Sequence, residues 1–427
     1  MSTKISAPKG TIDILPAESW KWQAIERIAR EVAELYHFQE IRTPIFEHSE
    51  LFHRGVGETT DIVHKETYTF DDRGGRSITL RPEQTAGVAR AAIESGLLND
   101  QGARAKVYYI GPNFRYENVQ KGRVRQHHQF GVEAFGVAEP EQDVECILLQ
   151  VDFYLRCGLK DLSLQVNSLG DRDSKEIIAK HLRDALGDKR SLLSEDSQRR
   201  LDENPIRILD SKDSRDQELT SKLFTSSVPL SPKSEAHLKR VLDLLGKAEL
   251  EKQGVAWHYS GKLVRGFDYY TETIWEVTAS GLGAQNAIGG GGRYDNLIAT
   301  LGGRPTPGVG FGSGLERLLI ALEAQGVTIA DPRRPLVWLA AHNDPARDAN
   351  MKLLAELRAA GIPADMEPTA RKMDKQLKQA NREHAVWCII VGDNELSSNT
   401  VMLKNLGTGE QTAVPRGEIV SRLKASM

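Results

Sequence analysis

The 427-residue chain is 40% hydrophobic and 27% charged, with a formal net charge of −3; that is the balance of a globular protein too long for one ordinary core, so two or three domains are expected. Its apolar runs, such as Leu336 to Ala341 and Ala385 to Val391, fall far short of the roughly 20 residues that a membrane-spanning helix needs. The slight acidity excludes nucleic-acid binding by bulk charge, so any such contact must rest on local basic clusters.

At the N-terminus, Met1 to Lys9 is polar and lacks the apolar segment of a secretory leader. Cys146, Cys157 and Cys388 show no paired spacing, which argues against a disulfide framework or a zinc site and fits a reducing, cytoplasmic setting. The first element is an amphipathic helix over 18–36, with Trp22, Ile25, Ile28, Ala29 and Val32 at helical spacing. Glu40 to Glu47 is extended, because Pro44 cannot continue a helix. β-rich segments near 66–81, 106–117 and 123–136 then suggest a mostly antiparallel sheet with helices packed on it, an α+β architecture.

From about 171 to 253 the chain turns charged, helical and poor in strand signal. Ile177, Ile178, His181, Leu182, Ala185 and Leu186 form one helical face. Ser231-Pro232 supplies an N-cap and first position for a second helix carrying Leu238, Val241, Leu242 and Leu245. Strand signal returns at Leu263, so 171–253 reads as an insertion within a sheet domain spanning 1–326. Residues 324–335, with Gly326, Pro332 and Pro335, read as a linker. Beyond it, strand 336–341, helix 345–360, strand 362–366, helix 370–384, strand 386–391, a hairpin near 400–414 and a short helix make an α/β domain over 333–427.

Several segments carry residues that core building does not ask for. Glu83 follows Arg81-Pro82, with Thr85 two residues on; this is a common helix start, and the same carboxylate and hydroxyl could hold a substrate ammonium. In a hairpin turning near Val119 to Lys121, Arg115 falls opposite Arg125 and Asn113 opposite His127. Alternation then puts Asn113, Arg115, Glu117, Arg125, His127, Gln129 and Glu133 on one face, and Phe114, Tyr116, Phe130 and Val132 on the other, against a core. The polar face is either ordinary wet surface or a ligand floor, and Gly131 between Gln129 and Glu133 favours the second.

Leu263 to Tyr270 sets Arg265 among Phe267, Tyr269 and Tyr270 just before the strand Thr271 to Val277. A cation there is costly to bury without an anion or a ring to meet it. A structural cation–π cluster is one reading; Gly266, which suggests close backbone approach, favours a ligand. Glycines alternate from Gly308 to Gly314 and leave one strand face bare, and Arg317 sits in the first turn of the following helix, where the dipole disfavours a cation unless an anion is bound. That helix has its core stripe in Leu315, Leu318, Leu319 and Leu322. Near the C-terminus, Arg371, Lys375, Lys378 and Arg382 form one basic stripe with Met373, Leu377 and Ala380 facing inward, either a solvated face or an RNA contact. The Walker phosphate loop, the dinucleotide glycine fingerprint, zinc-protease and serine-hydrolase motifs are all missing from the sequence.

Phe114-Arg115-Tyr116-Glu117 and Gly308 to Arg317 resemble motifs 2 and 3 of class II aminoacyl-tRNA synthetases, and the first helix with the segment running on to Thr43-Pro44 resembles motif 1, which builds the dimer in that family. Leu263 to Tyr270 and Gly292-Arg293-Tyr294-Asp295 resemble the histidine-specific motifs of the histidyl-tRNA synthetase family. Lys9-Gly10-Thr11 with Asp13, Asn167 to Gly170, and Asn204 to Leu209 fit the same family. The resemblance implies a class II antiparallel sheet flanked by helices, a helical insertion and a C-terminal anticodon-binding domain. It also implies L-histidine, ATP with Mg2+ and tRNA(His) as ligands, no protein-held metal, and a homodimer with no membrane attachment.

Residue by residue, it implies that Glu83, Thr85 and Gln129 hold the α-ammonium of histidine. Glu133 and Tyr270 would bond the imidazole, with Tyr269 shaping the pocket. Arg115 and Arg265 would grip the α-phosphate of ATP and Arg317 the γ-phosphate, with Glu117 and Gln129 close to the nucleotide and the reacting carboxylate. Lys121, Arg123 and Arg125 would meet the tRNA acceptor end. Asn118-Val119 departs from the Arg-Pro of many relatives, and Ser194, Ser197 and Ser211 stand where some relatives carry cysteines. A synthetase-like regulatory subunit of ATP phosphoribosyltransferase, a non-catalytic histidine binder, is the rival reading.

Overall fold

The spine of the fold is the antiparallel hairpin on either side of residue 119. Its strands pair Asn113 with His127 and Gly111 with Gln129, the register that the alternation of polar and apolar residues requires. The computed structural model describes all residues except 1–4, 58–59, 61, 101, 212, 222, 225–227, 283–285, 332–335 and 427. The chain divides into two units, Met1–Ala330 and Asp331–Met427.

In the first unit the strands are β1 (Gln39–Glu40), β2 (Phe46–His48), β3 (Tyr68–Asp71), β4 (Ser77–Leu80), β5 (Ala105–Phe114), β6 (Gln126–Phe135), β7 (Leu162–Ser168), β8 (Val255–Tyr259), β9 (Thr271–Ala279), β10 (Ala287–Arg293) and β11 (Gly308–Gly314). Its helices are α1 (Pro16–Leu35), α2 (Ser49–Val56), α3 (Thr85–Glu94), α4 (Pro140–Arg156), α5 (Arg172–Leu186), α6 (Glu195–Glu203), α7 (Ser214–Thr220), α8 (Pro232–Lys247), α9 (Leu297–Thr300) and α10 (Leu315–Ala324). Eight strands form one sheet in the order β1-β5-β6-β11-β10-β9-β7-β8. Its centre is antiparallel; β1–β5 and β7–β8 at the two ends are parallel. A parallel pair needs a long crossover, which the helices between β7 and β8 supply. A smaller sheet, β2-β4-β3, stands beside it.

One face of the large sheet is covered by α1, α4, α8 and α10. Trp22, Ile25, Ala29 and Val32 pack there with Phe130, Val132, Phe153, Trp275, Phe311 and Leu318 in a single core. Because side chains alternate, Gln129, Glu133, Glu276, Gly290 and Gly292 of β10 and the alternating glycines of β11 are turned to the opposite face, which is the one left for a ligand.

In the helical block, Asp171 caps α5 through the Ser174 amide and also accepts from the hydroxyl of Ser231, the cap of α8. The Ser231 amide donates to the Ser174 hydroxyl at 2.9 Å, and Ser234 reaches Glu272 on β9. The N-termini of α5 and α8 thus share one capping cluster. Deeper in it, the hydroxyls of Ser194, Ser197 and Ser211 each donate to the Asp216 carboxylate at 2.6 Å.

Some expectations change. Ile177 is 43% exposed, so the buried edge of α5 is the narrower stripe Ser174, Ile178, Leu182 and Leu186. Tyr116 is 53% exposed; β5 ends at Phe114, and the phenol ring lies instead against the Arg125 guanidinium at 3.7 Å. Strand signal returns already at Val255, in β8, and not first at Leu263. Pro332 and Pro335 of the expected linker lie outside the described residues.

The second unit holds β12 (Val337–Ala341), α11 (Asp344–Ala359), β13 (Ala364–Met366), α12 (Met373–Arg382), β14 (Trp387–Val391), α13 (Asp393–Ser398), β15 (Thr400–Asn405), β16 (Gln411–Pro415) and α14 (Ile419–Ser426). The sheet order is β13-β12-β14-β15-β16, parallel among the first three strands and antiparallel after them. Lys375, Lys378 and Arg382 lie exposed on α12, but Arg371 precedes the helix and pairs with Glu367 at 3.5 Å.

Candidate active site

Three arginines from distant parts of the chain line one hollow of about 420 Å³. Arg115 leaves the end of β5 with its amide bonded to Arg125 O, and its guanidinium donates to Pro82 O at 2.8 Å and lies over the Phe267 ring at 5.5 Å. Arg265 pairs with Glu276 of β9 at 2.7 Å. Its guanidinium rests on β10, where a Cβ on Gly290 would come within 3.0 Å of it. Arg317, in the first turn of α10, donates to Ala287 O. With Arg123, four guanidinium groups face Glu117, Glu276 and Glu316 around this hollow, and Glu316 is bonded to both the amide and the ring of His128. Burial and the neighbouring Arg123 lower the Arg317 pKa from its ordinary value. Such a cationic bowl suits a polyanion.

His127 also lines the hollow. Burial and the Arg115 charge push its pKa down to about 3, so the ring is neutral at physiological pH. Sequence reading placed it on the polar face but gave it no role.

A second cavity of about 110 Å³ shares Arg115, Gln129, Arg265 and Gly312 with the first. Glu83, Thr85, Tyr109, Tyr269, Tyr270 and Tyr294 also line it. Glu83 lies just before α3 and accepts from the Thr85 and Ala86 amides at 2.6 and 2.9 Å. It therefore caps the helix while lining the cavity, and Pro82 stands outside the helix, not at its first position. The Asn113 amide donates to Gln129 Oε1 at 2.7 Å and so fixes which end of that side chain accepts.

Glu133 is buried behind this wall. Its carboxylate accepts from the Thr85 hydroxyl at 2.7 Å, from Tyr109 at 3.0 Å and from the Tyr294 hydroxyl. Burial pushes its pKa up to about 8, and burial raises that of Glu83 too. Two desolvated carboxyl groups beside an aromatic box favour a small cation as occupant.

Tyr109 and Tyr294 are the residues that sequence reading did not assign. Tyr109 pairs across strands with Gly131, and a Cβ at Gly131 would sit 2.4 Å from the Tyr109 hydroxyl. The close approach inferred at Gly131 is thus made by this phenol and not by a ligand. Gly266 has open space where a Cβ would be, so crowding does not explain that glycine. Gly310 is crowded, with Glu133 and Val132 O within 2.1 and 2.2 Å of a notional Cβ.

Residues 10–318 match the family model for histidyl-tRNA synthetase, and 336–426 match that for an anticodon binding domain. This chain belongs to the histidyl-tRNA synthetase family. It is 46% identical over 419 residues to the histidine–tRNA ligase of Geobacillus sp. (strain WCH70), and 45% to that of Anoxybacillus flavithermus (strain DSM 21510 / WK1), covering 98% of either chain in both cases. It also resembles the crystal structure of apo Staphylococcus aureus histidyl-tRNA synthetase, with a TM-score of 0.80, 36% identity, and coverage of 98% of this chain and 99% of that one.

Within this family frame, the residues expected at the tRNA end separate. Lys121 is exposed at the hairpin tip. Arg123 faces the hollow, 3.5 Å from Glu117. Arg125 is engaged elsewhere: its amide donates to Gly10 O, and its guanidinium covers Tyr116. Arg293 of the histidine-motif segment is fully buried and ion-paired with Asp143 and Asp295, which fastens β10 to α4.

Proposed function

We propose that this chain is a histidine–tRNA ligase. L-histidine and ATP give histidyl-adenylate and pyrophosphate, and the histidyl group then passes to the 3′-terminal adenosine of tRNA(His). The observation carrying the reading is the convergence of Arg115, Arg265 and Arg317 on one hollow that opens onto an aromatic and carboxyl-lined cavity. Carboxylate attack on the α-phosphorus spreads negative charge over its oxygens. The nucleophile is already ionised, so the step needs positioning and fixed cations, and no general base. Arg115 and Arg265 stand where the two hollows meet and serve the α-phosphate, and Arg317 serves the γ-phosphate.

In the smaller cavity, Glu83, Thr85 and Gln129 receive the α-ammonium, and Glu133 with Tyr270 reads the imidazole, beside Tyr269. Thr85, Tyr109 and Tyr294 already bond Glu133, so its recognition of the ring works through this network. A buried polar pair of this kind rejects side chains lacking the matching groups by roughly 10⁴–10⁵. Glu117 and Glu276 on the wall of the larger hollow are the carboxylates that would help hold the Mg2+ accompanying ATP, whose charge would neutralise phosphate oxygens. Among the described residues no group of three or more His, Cys, Asp or Glu has a metal-holding arrangement.

Lys121 and Arg123 serve the acceptor end, with Arg125 holding that loop through Gly10 and Tyr116, and Arg371, Lys375, Lys378 and Arg382 serve RNA contact by the second unit. Homodimerisation is supported by the apolar side chains exposed on and beside the small sheet: Ile45 at 44%, Phe46 at 58% and Phe70 at 50%. No helix among the described residues is long and apolar enough to cross a membrane; we place the enzyme in the cytoplasm. The testing experiment is amino-acid-dependent exchange of pyrophosphate into ATP over all twenty amino acids. Signal with histidine alone is expected, and a blank with histidine favours the regulatory-subunit reading.

A further inference from the structure

We propose that Arg207, a residue of the helical block with no role assigned above, is a positioning residue for Arg265 and links that block to adenylate formation. The proposal rests on the histidine-activating reading of Arg265. Residues 265–268 lie between β8 and β9, outside any strand or helix, so no ladder of backbone bonds fixes their course. Arg207 does so from the short turn Pro205–Asp210. Its Nη2 donates to Gly266 O at 2.8 Å, its Nη1 to Arg265 O at 3.4 Å, and its Nε to the Asp268 carboxylate at 3.1 Å. Asn204, in the same segment, reaches the same Asp268 oxygen at 3.4 Å.

One planar fork thus holds two carbonyls and a carboxylate over four consecutive residues, which a lysine's single ammonium cannot do. On the other side, the Asp268 amide donates to Val56 O at 3.3 Å. Phe267, between these anchors, carries the Arg115 guanidinium on its ring and stacks on Tyr269 at 5.1 Å. Ile206, adjacent to Arg207, packs both against the cluster containing Leu263 and Tyr270 and against the core of the helical block. The turn is therefore wedged between the two, and a shift of the block is passed to the backbone of Arg265. Misplacing a reacting group by roughly 1 Å costs on the order of 10²-fold in rate.

The test is steady-state histidine-dependent pyrophosphate exchange with Arg207→Ala, Arg207→Lys, Arg265→Lys and the Arg207→Ala/Arg265→Lys pair, beside thermal unfolding. The expected result for Arg207→Ala is a kcat lower by about tenfold or more, with KM for ATP within about threefold and a folded circular-dichroism spectrum. In the Arg265→Lys background the same change should cost less than about threefold, because the two residues act as one unit. Unchanged kcat in folded Arg207→Ala overturns the proposal, and so does an equal loss in both backgrounds. If Arg207→Ala does not fold, Arg207→Lys is read against the same two criteria. Wild-type protein with no histidine-dependent exchange sinks the functional reading instead, a result distinct from either.

Discussion

Arg265 is the residue on which the chemistry turns most sharply. Its guanidinium lies on the bare backbone of Gly290 and pairs with Glu276, at the junction of the two hollows. Arg265→Ala is expected to lower kcat for pyrophosphate exchange by about 10²–10³, the usual loss for one preorganised transition-state donor, with the circular-dichroism spectrum unchanged. Near-normal turnover would remove it from the mechanism. Glu133 makes a prediction in pH. Its folded pKa is about 8 against an ordinary 4.5, so the folded state holds the proton more tightly. That contribution to stability is complete below about pH 4.5 and is lost as pH rises through about 8. Wild-type protein should accordingly lose more thermal stability between pH 5 and 8.5 than Glu133→Gln does; parallel losses would show that Glu133 is not shifted. The polar face carrying Glu133 was legible, because strand alternation is a local rule. Its partners Tyr109 and Tyr294 were not, since nothing in the linear order says that these phenols meet one carboxylate.

At the level of elements, α1, α8, α10 and the β5–β6 hairpin could be read from the sequence because each has one wet and one dry side. β7 and α4 could not. α4 is buried nearly all round, with Gln142, Asp143 and Gln150 among its covered residues, which blurs the helical period. The alternating glycines of β11 were legible as a bare face, and their crowding makes a contrast that mutation can test. At Gly310 a methyl group would strike Glu133 and the Val132 carbonyl, so Gly310→Ala should destabilise by about 1–3 kcal/mol. Gly266→Ala meets open space and should change stability by less than about 1 kcal/mol. Denaturant unfolding of the two variants checks both, and a tolerant Gly310 would mean that β11 has room to move away from Glu133.

For the molecule as a whole, two predictions concern association. Replacing Phe46 and Phe70, both half-exposed or more, with Glu should halve the mass measured by sedimentation if this face joins two copies; an unchanged mass would place the contact elsewhere. Binding to tRNA(His) should weaken steeply with salt, since each neutralised phosphate adds about 0.7–0.9 to the logarithmic slope. A flat response would leave Lys375, Lys378 and Arg382 as ordinary wet surface. The strand order of the large sheet is not legible in the sequence, because β6 pairs with β11 across a long stretch of intervening chain, and such pairing leaves no local mark.

The knot formed by Asp171, Ser174, Ser231 and Ser234 brings the starts of α5 and α8, and so both ends of the chain segment between them, to one spot beside β9. A loop-out anchored in this way resembles a bag closed by a single drawstring: its contents can shrink or swell over generations without disturbing the strands beneath. Trimming α6 and α7 by design should therefore leave the sheet standing, provided that the turn bearing Arg207 keeps its reach.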